Sequence, residues 1–380
     1  MKNRDEQNDK RPLHRSIFEY VQNLILSGEC HHKQKLPTDH QLMRRFNVSR
    51  ATVAKAMRDL ENQGIIERRP GVGSFIKPLA ASQSVLLAVV IAGLGDTEFY
   101  EPICASIAQS CYKRNYGLLW GASAGIHSRE MTLPSCNDYA HRLLAQRVSG
   151  IFYAPDEIPE NWNGDDPNEM FLDAIHRAGI KIVLLDRDYV PFTKKGLYDV
   201  VGIDNFQAGF DQTHHLIRCE CKRIFYVARP GITSTKSARI AGYRYALSQA
   251  GQSASEDRIC VGDVYDSVFV DKILKHKPDG IVCFHDPIAA ALIQALLLKK
   301  IRVPEEIKII GLDDVKYSQL IQVPLSTIHQ PCREIGAQAL NLMEERINNS
   351  PLPPRHVHLP TQLIVRNSTG SDANNVKEVS

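Results

Sequence analysis

Three stretches of the chain place titratable side chains directly after apolar runs: Leu185-Asp186-Arg187-Asp188, Phe284-His285-Asp286 and Gly311-Leu312-Asp313-Asp314. A fourth, Ser237-Ala238-Arg239-Ile240-Ala241-Gly242-Tyr243, carries Arg239 inside a helical pattern. Carboxylate oxygens accept hydrogen bonds from hydroxyl groups and a guanidinium donates a planar fork of them, so this set suits a hydroxyl-rich ligand. Asp188, Asp286 and Asp314 read more simply as helix caps or surface ion pairs, whereas Arg239, His285 and Asp313 read as cleft contacts. A separate group, Arg50, Thr52 and Lys55, lies on the polar face of one predicted helix near the start of the chain. Arginine can bind guanine bidentately and threonine can reach a phosphate or a thymine methyl, so the chemistry there is recognition of duplex DNA. The chain has no GxxxxGK[ST] phosphate loop, no HExxH and no GxGxxG opening a helix, and no metal or cofactor is expected.

The elements that must hold the DNA-facing group are legible from periodicity. Leu13, Ile17, Tyr20, Val21, Leu24 and Ile25 form the apolar stripe of a first helix. Thr38 is placed to cap a second helix whose buried stripe is Leu42, Met43 and Phe46, and Ser49 to cap a third whose inner face is Val53, Ala56, Met57 and Leu60. Two short helices joined by a tight turn make a helix-turn-helix. Two strand-like runs then flank Pro70-Gly71-Val72-Gly73, a hairpin with a glycine-rich tip that reads as the wing of a winged helix.

From Val85 onward, β-rich runs alternate with amphipathic segments. Strands are expected over 85–91, 117–120, 150–153, 181–185, 199–203, 223–227, 280–284 and 308–310. Helices are expected over 102–113, 206–218, 240–250, 288–299 and 332–347. Strict alternation with nearly continuous apolar strands predicts parallel, Rossmann-like sheets covered on both faces. The strands are too many for one sheet, so two α/β lobes with a ligand cleft at the strand carboxyl ends are expected.

Composition agrees with this division. Residues 1–78 hold 15 Lys and Arg against 9 Asp and Glu, while the remainder holds 31 against 34, so the basic excess lies at the end that reads as DNA-binding. The nine cysteines are odd in number and scattered, several in apolar runs, which suits reduced buried thiols; Cys219-Glu220-Cys221 reads as a helix-to-strand turn. The polar, charged start from Met1 to Lys10 does not have the pattern of a signal peptide and no apolar run is long enough to span a bilayer, so a cytoplasmic protein without membrane contact is expected. The boundaries are drawn as a disordered start (1–11), a winged helix-turn-helix domain (12–78), a linker (79–84), a two-lobed sensing and dimerisation domain (85–369) and a disordered tail (370–380).

Leu36-Pro37-Thr38, Leu42, Phe46-Asn47-Val48-Ser49-Arg50, Thr52-Val53, Leu60, Gly64-Ile65-Ile66 and Gly71-Val72-Gly73-Ser74-Phe75 together resemble the GntR family of regulators. The resemblance implies DNA contacts from Ser49, Arg50 and Thr52 and a minor-groove contact at Gly71; Thr38, His40, Lys55 and Arg69 complete the expected set, His40 standing where the family often has arginine. The rest is similar to the effector domain of the lactose/galactose repressor family, itself similar to periplasmic sugar-binding proteins, through Phe99-Tyr100, Asp186, Asp204-Asn205, Ser237-x-Arg239-x-x-Gly242-Tyr243, Asp286 and Gly311-x-Asp313-Asp314. That resemblance implies effector contacts from Phe99, Tyr100, Asp186, Arg187, Arg239, His285 and Asp313, with His285 departing from the residue common at its position. A GntR-type head on such a body is the arrangement of the bacterial arabinose repressor group. It implies a repressor, homodimeric on double-stranded operator DNA, that responds to a small carbohydrate: a pentose, a hexose or a sugar phosphate. The alternatives are a sugar-metabolising enzyme, or a transport-type sugar-binding protein, with an appended basic domain.

Overall fold

The computed structural model describes residues 13–26, 36–69, 72–76, 85–91, 98–120 and 133–370. Gly71, the linker 79–84, the start 1–11 and residues 371–380 of the tail lie outside these residues.

The head is three helices and a hairpin: α1 (Leu13–Leu26), α2 (Asp39–Phe46), α3 (Arg50–Asn62), β1 (Ile66–Arg69) and β2 (Gly73–Ile76), the strands pairing antiparallel. Its core follows most of the apolar stripe read from the sequence: Ile17, Val21 and Ile25 close against Leu42, Val53, Ala56, Met57, Leu60 and Ile66, whereas Leu13, counted in that stripe, is exposed at the start of α1 and Met43 and Phe46 are half-buried. Both helix starts are fixed by side chains. Thr38 and Gln41 form a reciprocal capping box on α2, and Ser49 Oγ accepts the Thr52 N–H on α3 at 3.3 Å.

The body contains two six-stranded sheets. The first is built from β3 (Leu86–Ile91), β4 (Gly117–Leu119), β5 (Gly150–Ala154), β6 (Lys181–Leu185) and β7 (Asp199–Ile203), with α4 (Tyr100–Lys113), α5 (Leu133–Ala145) and α6 (Pro167–Arg177). The chain then crosses into the second lobe, made of α7 (Asn205–Arg218), β8 (Ile224–Ala228), α8 (Ser234–Gln249), β9 (Ile259–Val261), α9 (Ser267–Lys275), β10 (Gly280–Cys283), α10 (Asp286–Leu298), β11 (Lys308–Asp313) and β12 (Ser326–His329). It returns through α11 (Cys332–Ile347) and β13 (His356–Leu359) to the first lobe and ends on β14 (Gln362–Ile364) in the second. Strand orders are β13-β7-β6-β5-β3-β4 and β14-β12-β11-β10-β8-β9, parallel except for β14. All the crossings leave strands at the same edge of each sheet, which makes that edge the hinge.

Three differences from expectation have physical causes. The helix expected at 240–250 begins at Ser234, because its first turn is polar where it faces the opposite lobe; the Thr233 side chain caps it by accepting the Lys236 N–H. The strands β9, β12, β13 and β14 are only three or four residues long, and His-Val-His-Leu in β13 alternates polar residues at a sheet edge, so no apolar run announced them. The helices α5, α6 and α9 were passed over for the opposite reason: polar residues interrupt their apolar stripes. The Cys219-x-Cys221 pair is the helix-to-strand turn anticipated, with Glu220 left-handed at φ 65°, and the eight described cysteines are free thiols.

α7 and α8 touch backbone to backbone. A β-carbon on Gly209 would fall 2.1 Å from the Arg239 carbonyl oxygen, and one on Gly242 2.0 Å from that of Phe206. Gly242→Ala therefore forces the helices apart and should destabilise the body by about 1–3 kcal/mol, the usual cost of overpacking. A denaturant melt of the variant should show a lower midpoint, and an unchanged midpoint would mean the crossing is not tight.

Candidate functional site

On the head, Ser49, Arg50 and Lys55 are exposed and Thr52 is half-buried, while Val53, Ala56 and Met57 are buried beneath them. The start of α3 is thus a polar face on a rigid apolar base. Ser49 Oγ lies 3.0 Å from Thr52 Oγ1, so the cap orders the hydroxyls at the helix tip. Thr38 and His40 are exposed at the start of α2. Arg69, at the end of β1, pairs with Glu67 at 3.1 Å and stacks over Phe75 with its guanidinium carbon 5.2 Å from the ring centre, which holds it on the wing.

In the body the predicted effector residues assemble at the strand carboxyl ends between the lobes. Asp186 follows β6 at φ 70° and Asp313 ends β11 at φ 117°, left-handed conformations costly for residues with a β-carbon and typical of functional sites. Asp186 accepts from Arg187 Nε at 2.8 Å and from the Tyr100 hydroxyl at 3.5 Å, and Arg187 Nη2 donates to that hydroxyl at 3.3 Å. Phe99 packs edge-on against Tyr100, ring centres 4.9 Å apart. From the other lobe, buried Arg239 donates from Nε to Asn205 Oδ1 and from Nη1 to the Phe284 carbonyl, both at 2.8 Å, and lies 4.6 Å above the Phe284 ring.

His285 has two roles. Its Nδ1 accepts the Ile288 N–H at 3.2 Å and so caps α10, which leaves the proton on Nε2. Burial, then the charges of Arg229 and Arg239, pull its pKa down to about 3, so the ring is neutral. Asp313 is pushed up from 3.8 to about 7 by burial, against the pull of Arg239 and of Gln330, whose amide donates to it at 2.8 Å. Three polar atoms of this cluster are buried without a hydrogen-bond partner: Asp186 Oδ1, His285 Nε2 and Gln330 Oε1. Such atoms are costly unless something completes them. A cavity of about 220 Å³ lies beside Asp186 and Arg187 but on the side of β7 and β13, where Gly202, Asn205, Thr235 and His356 line it; Tyr100, Arg239, His285 and Asp313 do not.

The three aspartates read as structural are engaged within the protein, but as buried or half-buried groups, not surface ones. Asp286 accepts from Thr327 Oγ1 at 2.7 Å and from the Val315 N–H at 3.1 Å, Asp314 pairs with Arg366 at 2.6 Å, and Asp188 lies 2.9 Å from His356. Asn205 and Gln330, which hold Arg239 and Asp313, were not singled out as site residues. The signal for both was position, since each stands where the chain leaves a strand to cross between lobes. Sequence reading also passed over Gly121-Ala122-Ser123-Ala124-Gly125, which has the G-x-S-x-G spacing of a hydrolase nucleophile. That string lies outside the described residues.

Residues 13–76 match the gntR family of bacterial regulatory proteins, and residues 213–369 match a periplasmic binding protein-like domain. The chain is 24% identical over 370 residues to the arabinose metabolism transcriptional repressor of Geobacillus stearothermophilus, covering 94% of this chain and 98% of that protein. It is 26% identical over 385 residues to the repressor of the same name from Halalkalibacterium halodurans, with 93% and 95% covered. Among solved structures, a complex of the transcriptional regulator CelR with cellobiose superposes with a TM-score of 0.63 at 23% identity, covering 84% of this chain and 91% of that one. The lac repressor dimer bound to operator and an anti-inducer gives 0.62 at 19%, covering 76% and 96%.

The raised pKa of Asp313 has a consequence for stability. Between the ordinary carboxylate value and about 7, the folded chain holds the Asp313 proton more tightly than the unfolded chain, so this residue makes stability fall as pH rises through that window. Asp313→Asn keeps the acceptor for Gln330 and removes the titration. The variant should melt a few degrees above the parent near pH 8, with the gain shrinking toward pH 5; a gain that did not depend on pH would show that Asp313 is not the group responsible.

Proposed function

We propose that this chain, a gntR-type helix-turn-helix head on a periplasmic-binding-protein-like body, is a DNA-binding transcriptional repressor whose operator affinity is set by a small carbohydrate held between its lobes. The observation that carries the effector reading is the set of orphaned atoms in the cleft. Asp186 Oδ1 and Gln330 Oε1 accept, and His285 Nε2 donates. A sugar hydroxyl both donates and accepts and can complete all of them, whereas a phosphate oxygen brings only acceptors to the two acceptor atoms. A free pentose or hexose is therefore favoured over a sugar phosphate.

The head, drawn over 12–78, presents Ser49, Arg50, Thr52 and Lys55 to the major groove, with Thr38, His40 and Arg69 beside them on the phosphates. The sensor, drawn over 85–369, leaves Tyr265, Val268 and Leu320 exposed on the second lobe, apolar surface suited to a second copy of the chain. Two copies would present two recognition helices to a pseudo-palindromic operator. An inducer that binds the DNA-free form more tightly loosens operator binding by the same factor, typically about 1–3 kcal/mol. The relatives are regulators, and the site's charges are arranged to hold hydroxyls, so we read a binding protein in place of an enzyme. No described helix is long and apolar enough to cross a membrane, and the DNA partner proposed here goes with a cytoplasmic location.

Two substitutions separate the modules. Arg50→Ala should weaken binding to a duplex selected from a random pool by about 1–3 kcal/mol and leave sugar binding intact. Arg239→Ala should abolish measurable sugar binding with operator affinity kept, since it removes the fork spanning Asn205 and Phe284. Fluorescence anisotropy reads the DNA and calorimetry the sugar. Equal damage to both activities by either change would sink the assignment.

A further inference from the structure

Head and first lobe touch through side chains as well as through the chain that joins them. Helix α1 lies against α5 and α6 of that lobe, and two side chains of the lobe reach across. Arg147, in the turn between α5 and β5, donates from Nε to the Gln63 carbonyl at 2.8 Å and from Nη2 to the Asn62 carbonyl at 3.3 Å. His141 of α5 brings its Nε2 to 3.1 Å from Asn23 Oδ1 of α1.

The Arg147 contacts complete the end of the recognition helix. There the carbonyls of Asp59, Leu60 and Glu61 accept the N–H groups of Gln63, Ile65 and Gly64. Arg147 takes the next two carbonyls and brings a positive charge to the negative end of the helix dipole. The approach is close because Gly64, left-handed at φ +69°, has no side chain; a β-carbon there would fall 2.5 Å from Arg147 Nη2. Arg147 is itself left-handed at φ 60°, in the place after a helix where glycine is common. The lobe's own turn would be served as well by glycine, so what arginine adds is its reach to the head. At the second contact, burial pulls the pKa of His141 below its ordinary value, against the carboxylates of Asp138 and Glu19. The neutral ring then donates from Nε2 to Asn23. The contact is a closed one, since His141 Nδ1 and Gln63 Oε1 are both buried without a hydrogen-bond partner.

We infer that the α5–β5 corner of the first lobe is a docking site for the head of the same chain, where Arg147 and His141 grip the back of the helix-turn-helix and set the direction in which α3 is presented. The grips fall on two different helices, at the end of α3 and near the end of α1, so together they resist rotation of the head about either one. Docking leaves the reading end open: Ser49 and Arg50, at the opposite end of α3 from Asn62, are exposed with the contact in place. The contact therefore positions the head and does not mask it. The inference rests on the DNA-binding reading above and adds to it a positioning residue outside the head. Two heads held at a set angle meet both halves of an operator without first being ordered, so the contact matters to a duplex of two halves and little to a single half.

The test uses the full chain, with hydrogen exchange read by mass spectrometry and fluorescence anisotropy on a duplex selected from a random pool and on the same duplex cut to one half. Arg147→Gly removes the side chain and suits the left-handed turn, so the lobe keeps its fold. Arg147→Lys keeps a charge near the helix end but cannot span both carbonyls. In Arg147→Gly the end of α3 should exchange about tenfold faster with α7 and α8 unchanged, and the whole duplex should bind about tenfold more weakly with the half duplex within about twofold of the parent. Arg147→Lys should fall between the two. Docking is overturned if exchange at the end of α3 in Arg147→Gly matches the parent. The positioning role is overturned if whole and half duplex lose affinity by the same factor, which would make Arg147 a DNA contact or a stability residue. If the parent binds no duplex at all, the DNA-binding reading itself falls, while the exchange data still decide whether the head is docked.

Discussion

The body depends most on the contact between α7 and α8. Because Gly209 and Gly242 have no side chains, the two helices approach until each backbone rests on the other. That closeness puts Arg239, one turn before Gly242, within reach of Asn205 at the start of α7 and of the Phe284 carbonyl after β10. A guanidinium at 3% exposure would be very costly alone. Fixed by two neutral acceptors and lying over an aromatic face, it still has donors to offer. Moving the helices apart by even the width of a methyl group would leave Arg239 buried with its partners out of range.

The rest of the cleft is organised by the same low dielectric. Asp186 is tolerable because Arg187 sits next to it in sequence and in space. Asp313, with Arg239 near but no ion-pair partner of its own, is held near neutrality, and His285 gives up its charge altogether among three arginines. The result is a site in which net charge is nearly balanced while several hydrogen-bonding atoms stay incomplete. Such a site discriminates by donor and acceptor geometry more than by charge, since filling it with the wrong polarity leaves buried groups unpaired.

How much of this was legible in the sequence follows from how local each signal is. The head's caps are pairs three residues apart, Thr38 with Gln41 and Ser49 with Thr52, and the core stripe repeats within single helices, so spacing alone located them. The alternation of strands and helices gave the two lobes for the same reason. The edge strand β13 was not legible, because four residues at a sheet edge carry no apolar run and owe their conformation to a neighbour over a hundred residues away, as His356 does to Val200; β14, three residues long, likewise depends on its partner β12. Cleft residues that bear charge were found by type and position; the neutral ones that hold them, Asn205 and Gln330, have side chains common on any surface and show their role only when the lobes are assembled.

Those neutral supports explain how a ligand could act on the whole molecule. Asn205 is the first residue of α7, two positions after β7 ends, and Gln330 the first after β12, where the chain turns back toward the first lobe. Arg239 and Asp313, the charged groups a sugar would engage, are therefore each bonded to a hinge residue. A ligand that draws on either one changes the environment of a crossing segment directly, with no chain of intermediates required. Ligand binding can shift a lobe angle only by the difference in its affinity for the two arrangements. On the proposed reading that difference would be large, because contacts would come from both lobes: Asp186 and Tyr100 from the first, Arg239, His285 and Asp313 from the second. An open cleft would offer at most one of these sets, so the free energy of completing both would be available for turning one lobe against the other.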